Sequence, residues 1–165
     1  VALQIAMQQS DLVRKLVSIS GGYRSDGMYP EVLAGIQDIT PEMFAGTPFA
    51  EAYARVAPNP DDFPALVEKL KQLDGQPFAW SEDAIRAIPS PALIVSGDAD
   101  VVRPEHSVAL LHFLGGGVPG DLVGLPKAQL AILPGTTHIA IVLDRAPLLL
   151  SVVEPFLAAP MPDAG

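Results

Sequence analysis

Cysteine is absent from this 165-residue chain, which excludes disulfides, thiolate catalysis and cysteine-ligated metals. The compartment is left open, with the cytoplasm as the default. Basic residues are few: 10 lysines and arginines stand against 19 aspartates and glutamates, for a net charge of −9. No basic face is available for phosphate, so nucleic acid is not an expected partner. No apolar run approaches the roughly 20 residues of a membrane span, so no membrane partner is expected either. The opening stretch, VALQIAMQQ, lacks the basic start and cleavage site of a signal peptide. It also lacks an initiator methionine and begins in helical register, with Val1, Ala2, Ile5 and Ala6 apolar. A chain that starts in mid-pattern is expected to be part of something longer, an artefact of expression or gene calling being the competing reading. One further absence bears on the chemistry: no serine stands in a G-x-S-x-G.

What the chain does have is a hydrophobic content of 49%, with only 18% charged residues. That balance suits a buried parallel sheet in a single domain-sized core. Residues 1–9 read as a buried helix, and 15–20 (KLVSIS), stopped by Gly21-Gly22, as a central parallel strand. From Tyr23 to Ala87 the character changes, with prolines at 30, 41, 48, 58, 60, 64 and 77 and short helical patterns between them. Thr40-Pro41-Glu42 has the form of an N-cap with proline at the first helical position. Residues 60–73 carry Phe63, Leu66, Val67, Leu70 and Leu73 at helical spacing. Helices without strands predict an inserted cap over 23–87. Regular alternation returns with a strand at 92–96, a helix at 104–114, a loop from Gly115 to Lys127, a strand at 129–133 and a helix at 146–157. Strand, helix, strand, helix at this spacing predicts a parallel α/β sheet. The core is therefore assigned to 1–22 and 88–158, and 159–165 to a frayed tail.

In open parallel sheets, functional groups gather at the carboxyl ends of the strands. The segment PALIVSGDADVVRP (91–104) places Asp98 and Asp100 at such an end, and AILPGTTH (131–138) places His138 at another. A carboxylate there can hold His Nδ1–H and stabilise the imidazolium formed in turnover. Asp100 is favoured because the chain has cleared the strand by that point, whereas Asp98 beside Gly97 is placed to cap its own turn; a turn role remains open for Asp100 as well. His106 and His112 lie six apart on one helix, off a common face, and read as surface or half-buried residues. Ser20 reaches the same edge but lacks an elbow, so a strand-end hydroxyl bonded to backbone is its plainer role and a substitute nucleophile the sharper one. Gly115–Gly117 follows a helix and is no phosphate loop. No clustered spacing supports a metal site.

Taken in order, VALQIA, DLVRKLVSISGG, the helical insert, PALIVSGDADVVRPEH, GGGVPGDLVGLPKAQL and AILPGTTH followed by VLDRAP resemble the C-terminal part of an α/β-hydrolase-fold serine hydrolase of the small esterase, lactonase or peptidase-like type. The resemblance implies the last three parallel strands with flanking helices plus an inserted helical cap. It carries the family's acid onto Asp100 and its histidine onto His138, with no counterpart for the serine. It implies hydrolysis of a carboxylic ester or related acyl bond in a small-molecule substrate, without a cofactor. Tyr23, Tyr29, Met43, Phe44, Phe49 and Trp80 become candidates to line an acyl pocket, packing of the cap being the plainer role for each. The strand at 15–20 is left with a bare apolar edge, so self-association or docking of a missing N-terminal half is expected. An inactive remnant or assembly module, and a weak hydrolase using Ser20 or a water activated by His138 and Asp100, are the alternatives.

Overall fold

Residues 92–97 are buried without a break, and such a run must be covered on both faces. The computed structural model describes residues 1–161. In chain order its elements are α1 (Ala2–Gln8), β1 (Leu16–Ile19), α2 (Pro30–Gly35), α3 (Pro48–Val56), α4 (Phe63–Asp74) and α5 (Glu82–Arg86). Then follow β2 (Ala92–Ala99), α6 (Pro104–Phe113), the single turn α7 (Gly120–Val123), β3 (Ala128–Thr137) and α8 (Ala146–Ala158). The expected tail lies partly at 162–165, outside the described residues.

The chain divides into two compact units, Pro30–Phe78 and a sheet unit made of Val1–Tyr29 with the chain from Ala79 onward. The helical insert is thus narrower than 23–87. Tyr23, Ile85 and Ile88 are core residues of the sheet unit, and isolated bridges tie Arg24 to Ala79 and Met28 to Val102.

In the sheet unit the three strands run parallel in the order β1-β2-β3. The central strand is therefore β2, and β1, expected to be central, is an edge among the described residues. Side chains of β2 alternate between two cores. Ala92 and Ile94 pack with Leu3 and Ala6 of α1, Ile85 of α5 and Leu110 of α6. Leu93 and Val95 pack with Leu133, Ile141 and, from α8, Leu149 and Phe156. Each fully buried aliphatic side chain contributes about 2 kcal/mol relative to exposure. Lys15 closes the far end of α8, donating from Nζ to the carbonyls of Phe156 at 2.7 Å and Leu157 at 3.0 Å.

The helical unit has a different logic. Pro30 and Pro48 are the first residues of α2 and α3, where a missing N–H costs nothing and the fixed φ is already helical. Its aromatics pack on one another: Phe44 meets Phe49 and Phe63 edge-to-face at 6.5 and 6.2 Å, and Tyr53 lies 5.3 Å from Phe63. Of the apolar stripe on α4, Val67 is buried while Leu70 and Leu73 are exposed. No helix among the described residues is long and apolar enough to cross a membrane.

Candidate active site

Three polar residues each directly follow the last residue of a strand: Ser20 after β1, Asp100 after β2 and His138 after β3. Because the strands are parallel and adjacent, all three emerge at the same edge of the sheet. Asp100 is the middle one, and its side chain is fully buried. His138 Nδ1 lies 2.8 Å from Asp100 Oδ1, and Val102 N–H donates to the same oxygen at 3.3 Å. The other oxygen, Oδ2, accepts from Gly97 N–H at 3.2 Å and from Ser20 Oγ at 2.5 Å. Burial alone would raise the carboxyl group, but donation from His138, Ser20, Gly97 and Val102 outweighs it and holds Asp100 at about 2, below the ordinary 3.8. An ionised carboxylate only accepts, so the ring nitrogen facing it is Nδ1–H. The His138 side chain is 45% exposed against 0% for Asp100, so the pair runs from the interior outward.

The loop that carries His138 is built by an irregularity in the sheet. Gly97 pairs with Leu133 and Ala99 with Thr137, so two steps along β2 meet four along β3. The sequence explains the bulge: Pro134 has no N–H to give the ladder, and Gly135 takes a φ of 58°. Gly97 permits the close approach, since a Cβ there would lie 1.9 Å from the carbonyl oxygen of Thr136. Asp98 then clamps the bulge, accepting from Thr136 N–H at 3.1 Å. Hydrogen bonds from the Gly135 and Thr136 backbone hold its carboxyl below the usual range. Arg145 braces the other side through the Gly135 carbonyl at 3.3 Å. Asp98 was expected to cap its own turn; it serves mainly the neighbouring strand, because the bulge presents N–H groups that the ladder leaves unused.

Ser20 also departs from its expected roles. Its hydroxyl donates to a carboxylate, not to backbone, and the acceptor is too weak a base to activate it. A carboxyl at about 2 is a far poorer proton acceptor than an imidazole near 6.5. The site as it stands is a line of Ser20, Asp100 and His138 with the acid in the middle, not a serine held by its base.

The histidines of α6 are not alike. His106, expected at the surface or half-buried, is buried, stacks on Tyr23 at 4.0 Å between ring centroids and accepts Tyr23 N–H at Nε2. Desolvation lowers its pKa; Asp26 opposes that, and Arg103 and Arg24 reinforce it. It is a neutral core residue, and His112 is exposed. The pocket candidates come from both units. Tyr23 and Trp80 belong to the core of the sheet unit or pack against it. Phe44 and Phe49 belong to the aromatic cluster of the helical unit. Tyr29 and Met43 are exposed, Met43 with its sulfur accepting Thr40 N–H at 3.4 Å. Among the described residues no group of three or more His, Asp or Glu side chains is arranged to hold a metal ion.

No family model and no curated protein matches the chain by sequence. Solved structures do match. MGS-M2, an α/β hydrolase from a Medee basin deep-sea metagenome library, is 18% identical at a TM-score of 0.58 over 99% of this chain and 62% of its own. This is a partial α/β-hydrolase fold. The enol-lactonase of Burkholderia xenovorans LB400 is similar at 17% identity and a TM-score of 0.56, over 96% of this chain and 61% of its own. The meta-cleavage product hydrolase of Pseudomonas fluorescens IP01 is 19% identical at 0.54, again over 96% and 61%. The chain thus spans less than two thirds of the length of these α/β hydrolases. Its three parallel strands and flanking helices are part of that fold.

Proposed function

We propose that this chain supplies the acid–base part of a hydrolase that cleaves carboxylic esters or related acyl bonds, with its nucleophilic serine contributed from outside these 165 residues. The observation that supports this reading is the 2.8 Å contact between His138 Nδ1 and buried Asp100 at neighbouring strand ends. The bond places the lone pair of the neutral ring on Nε2. That atom takes the nucleophile's proton as the serine attacks the acyl carbon, and returns it to the leaving group. Asp100 holds the tautomer and stabilises the imidazolium. Similarity to a lactonase and a meta-cleavage product hydrolase adds an argument by analogy. A small acyl compound is the substrate class, and the cytoplasm is the default setting.

The test is the coding sequence upstream of Val1. An in-frame G-x-S-x-G is expected there, and the extended chain is expected to turn over short-chain p-nitrophenyl esters. His138→Ala in that protein is expected to lower turnover by about a thousand- to ten-thousand-fold. An extended chain without the motif and without turnover sinks the reading. Turnover by the 165 residues alone, lost in His138→Ala, replaces it with a relay that needs no serine from elsewhere.

The same reading assigns an occupant to the outer edge of β1. Alongside it runs a groove of about 460 Å³ whose lining includes Ala2, Ile5, Leu12, Leu16, Val17 and Leu157. The occupant is the N-terminal half of the fold, because the chain covers only 61–62% of the structures it matches. Without that half an open strand edge invites another copy. Sedimentation at micromolar concentration is expected to show self-association of the 165-residue chain, and a clean monomer counts against the assignment.

A further inference from the structure

The relay of Asp100 and His138 leaves Ser20 without a task, yet the fold spends conformational strain on it. Among the described residues Ser20 is the non-glycine residue with a positive φ, at 49°. Left-handed backbone is unfavourable for a residue with a Cβ, and serine has less excuse for it than asparagine or aspartate. Gly21 and Gly22 follow directly and would take such a conformation freely, but neither has a positive φ. The last rung of the ladder is kept at the same time, with Ser20 N–H donating to the Val95 carbonyl at 2.7 Å. The backbone therefore turns at Ser20 itself, and the consequence is a hydroxyl aimed at Asp100. Strain that persists where a cheaper arrangement lies one residue away points to a function of the side chain.

The carboxylate shows what that function is. Each oxygen of Asp100 receives one backbone donor and one side-chain donor: Gly97 N–H and Ser20 Oγ on Oδ2, Val102 N–H and His138 Nδ1 on Oδ1. We propose that Ser20 is a positioning residue, whose hydroxyl fixes the plane of the Asp100 carboxylate and draws charge toward Oδ2, away from the oxygen that faces His138. The inference rests on the reading of Asp100 and His138 as the acid–base pair. Its consequence is a base tuned downward: with part of the carboxylate charge engaged by Ser20, the imidazolium at His138 is held less tightly and returns its proton more readily. The other charged groups that hold the His138 loop, Asp98 and Arg145, bind its backbone at residues 135 and 136, so they stay constant when Ser20 is changed.

Long-range ¹H–¹⁵N correlation spectra of the labelled chain, recorded from about pH 5 to 9, read the ring of His138 directly. Ser20→Gly removes the hydroxyl and relieves the left-handed strain, so the fold is retained; Ser20→Ala removes the hydroxyl alone. In both, the His138 pKa is expected to rise by roughly half a unit, about a threefold gain in proton affinity. Ser20→Asn, which tolerates positive φ and restores a donor, is expected to bring it back toward the wild-type value. An unchanged or lowered His138 pKa in folded Ser20→Gly overturns the assignment, because a merely structural serine would leave the ring alone. The titration needs no substrate. A failure of ester turnover in the extended chain would count against the hydrolase reading and leave this result standing, and the reverse holds equally.

Discussion

Asp100→Ala is expected to lower the unfolding free energy of the chain by about 3 kcal/mol, measured by urea denaturation at neutral pH. Four donors lose their acceptor at once: Ser20 Oγ, Gly97 N–H, Val102 N–H and His138 Nδ1–H. Unsatisfied buried donors cost about 1–3 kcal/mol each, but the contributions do not add, because half-exposed His138 recovers water and the backbone relaxes. The pH dependence separates charge from packing. Asp100 is held at about 2 against an ordinary 3.8, so its ionisation contributes about 2 kcal/mol of stability at neutral pH. A depressed acid stabilises above its unfolded pKa, and the contribution fades as pH falls from about 4 toward 2. The wild-type and Asp100→Ala stabilities should therefore converge across that window. Curves that stay parallel down to pH 2 would show that ionised Asp100 does not stabilise the fold. Under the proposed hydrolase function, Asp100→Asn in an extended chain that turns over esters should cost about ten-thousand-fold, as the wrong tautomer of His138 becomes available.

Gly97→Ala is expected to cost about 3 kcal/mol, at the upper end for an overpacked site, and to abolish the ordered position of His138. The added Cβ would stand 1.9 Å from the Thr136 carbonyl oxygen and 2.6 Å from its carbonyl carbon. Backbone on both sides leaves no side chain to swing away, so β2 and β3 must part at the bulge. The bond from Thr136 N–H to Asp98 then opens, and the loop holding His138 moves with it. Gly35→Ala at the end of α2 is the control: nothing lies within 4 Å of its would-be Cβ, and a change of less than about 1 kcal/mol in the stabilising direction is expected. If the two substitutions prove equally mild, the close approach at Gly97 does not govern the site. The Asp100–His138 bond is read in the same samples from the downfield Nδ1 proton.

Some of this architecture is legible in short stretches of sequence. The apolar run ending at Gly97 forms β2, and the helix opened by Pro104 forms α6, because periodicity and proline placement act within a few residues. The preference for Asp100 over Asp98 as the acid that holds His138 rested on chain length past the strand; the Asp100 side chain is buried with Oδ1 2.8 Å from His138 Nδ1, and its part in catalysis is a proposal. Other features were not legible. The strand 129–133 grew to Ala128–Thr137, because a proline and a glycine that normally end a strand were absorbed as a bulge against Gly97. The full burial of His106, read as surface or half-buried, was missed because a lone histidine on a helix says nothing of Tyr23, which comes from 83 residues away to stack on it. The roles of the aromatics were not legible for the same reason: Phe44 and Phe49 find partners within their own unit, and hydropathy cannot distinguish packing from lining.

The order of apolar runs and breakers alone determined that the chain makes a parallel sheet with an aspartate and a histidine at its carboxyl edge; that no G-x-S-x-G stands within these 165 residues is read from the sequence directly. Those are properties of neighbours along the chain. Which atoms meet was decided by tertiary structure alone. Ser20 and Asp100 are 80 residues apart, and their contact depends on the register of β1 on β2 and on a left-handed turn that serine's own propensity disfavours. Asp98 serves mainly β3 and only secondarily its own turn, because the bulge offers it N–H groups that the ladder leaves unused. Local preference sets what each segment can form; the pairing of strand ends sets which oxygen receives which proton.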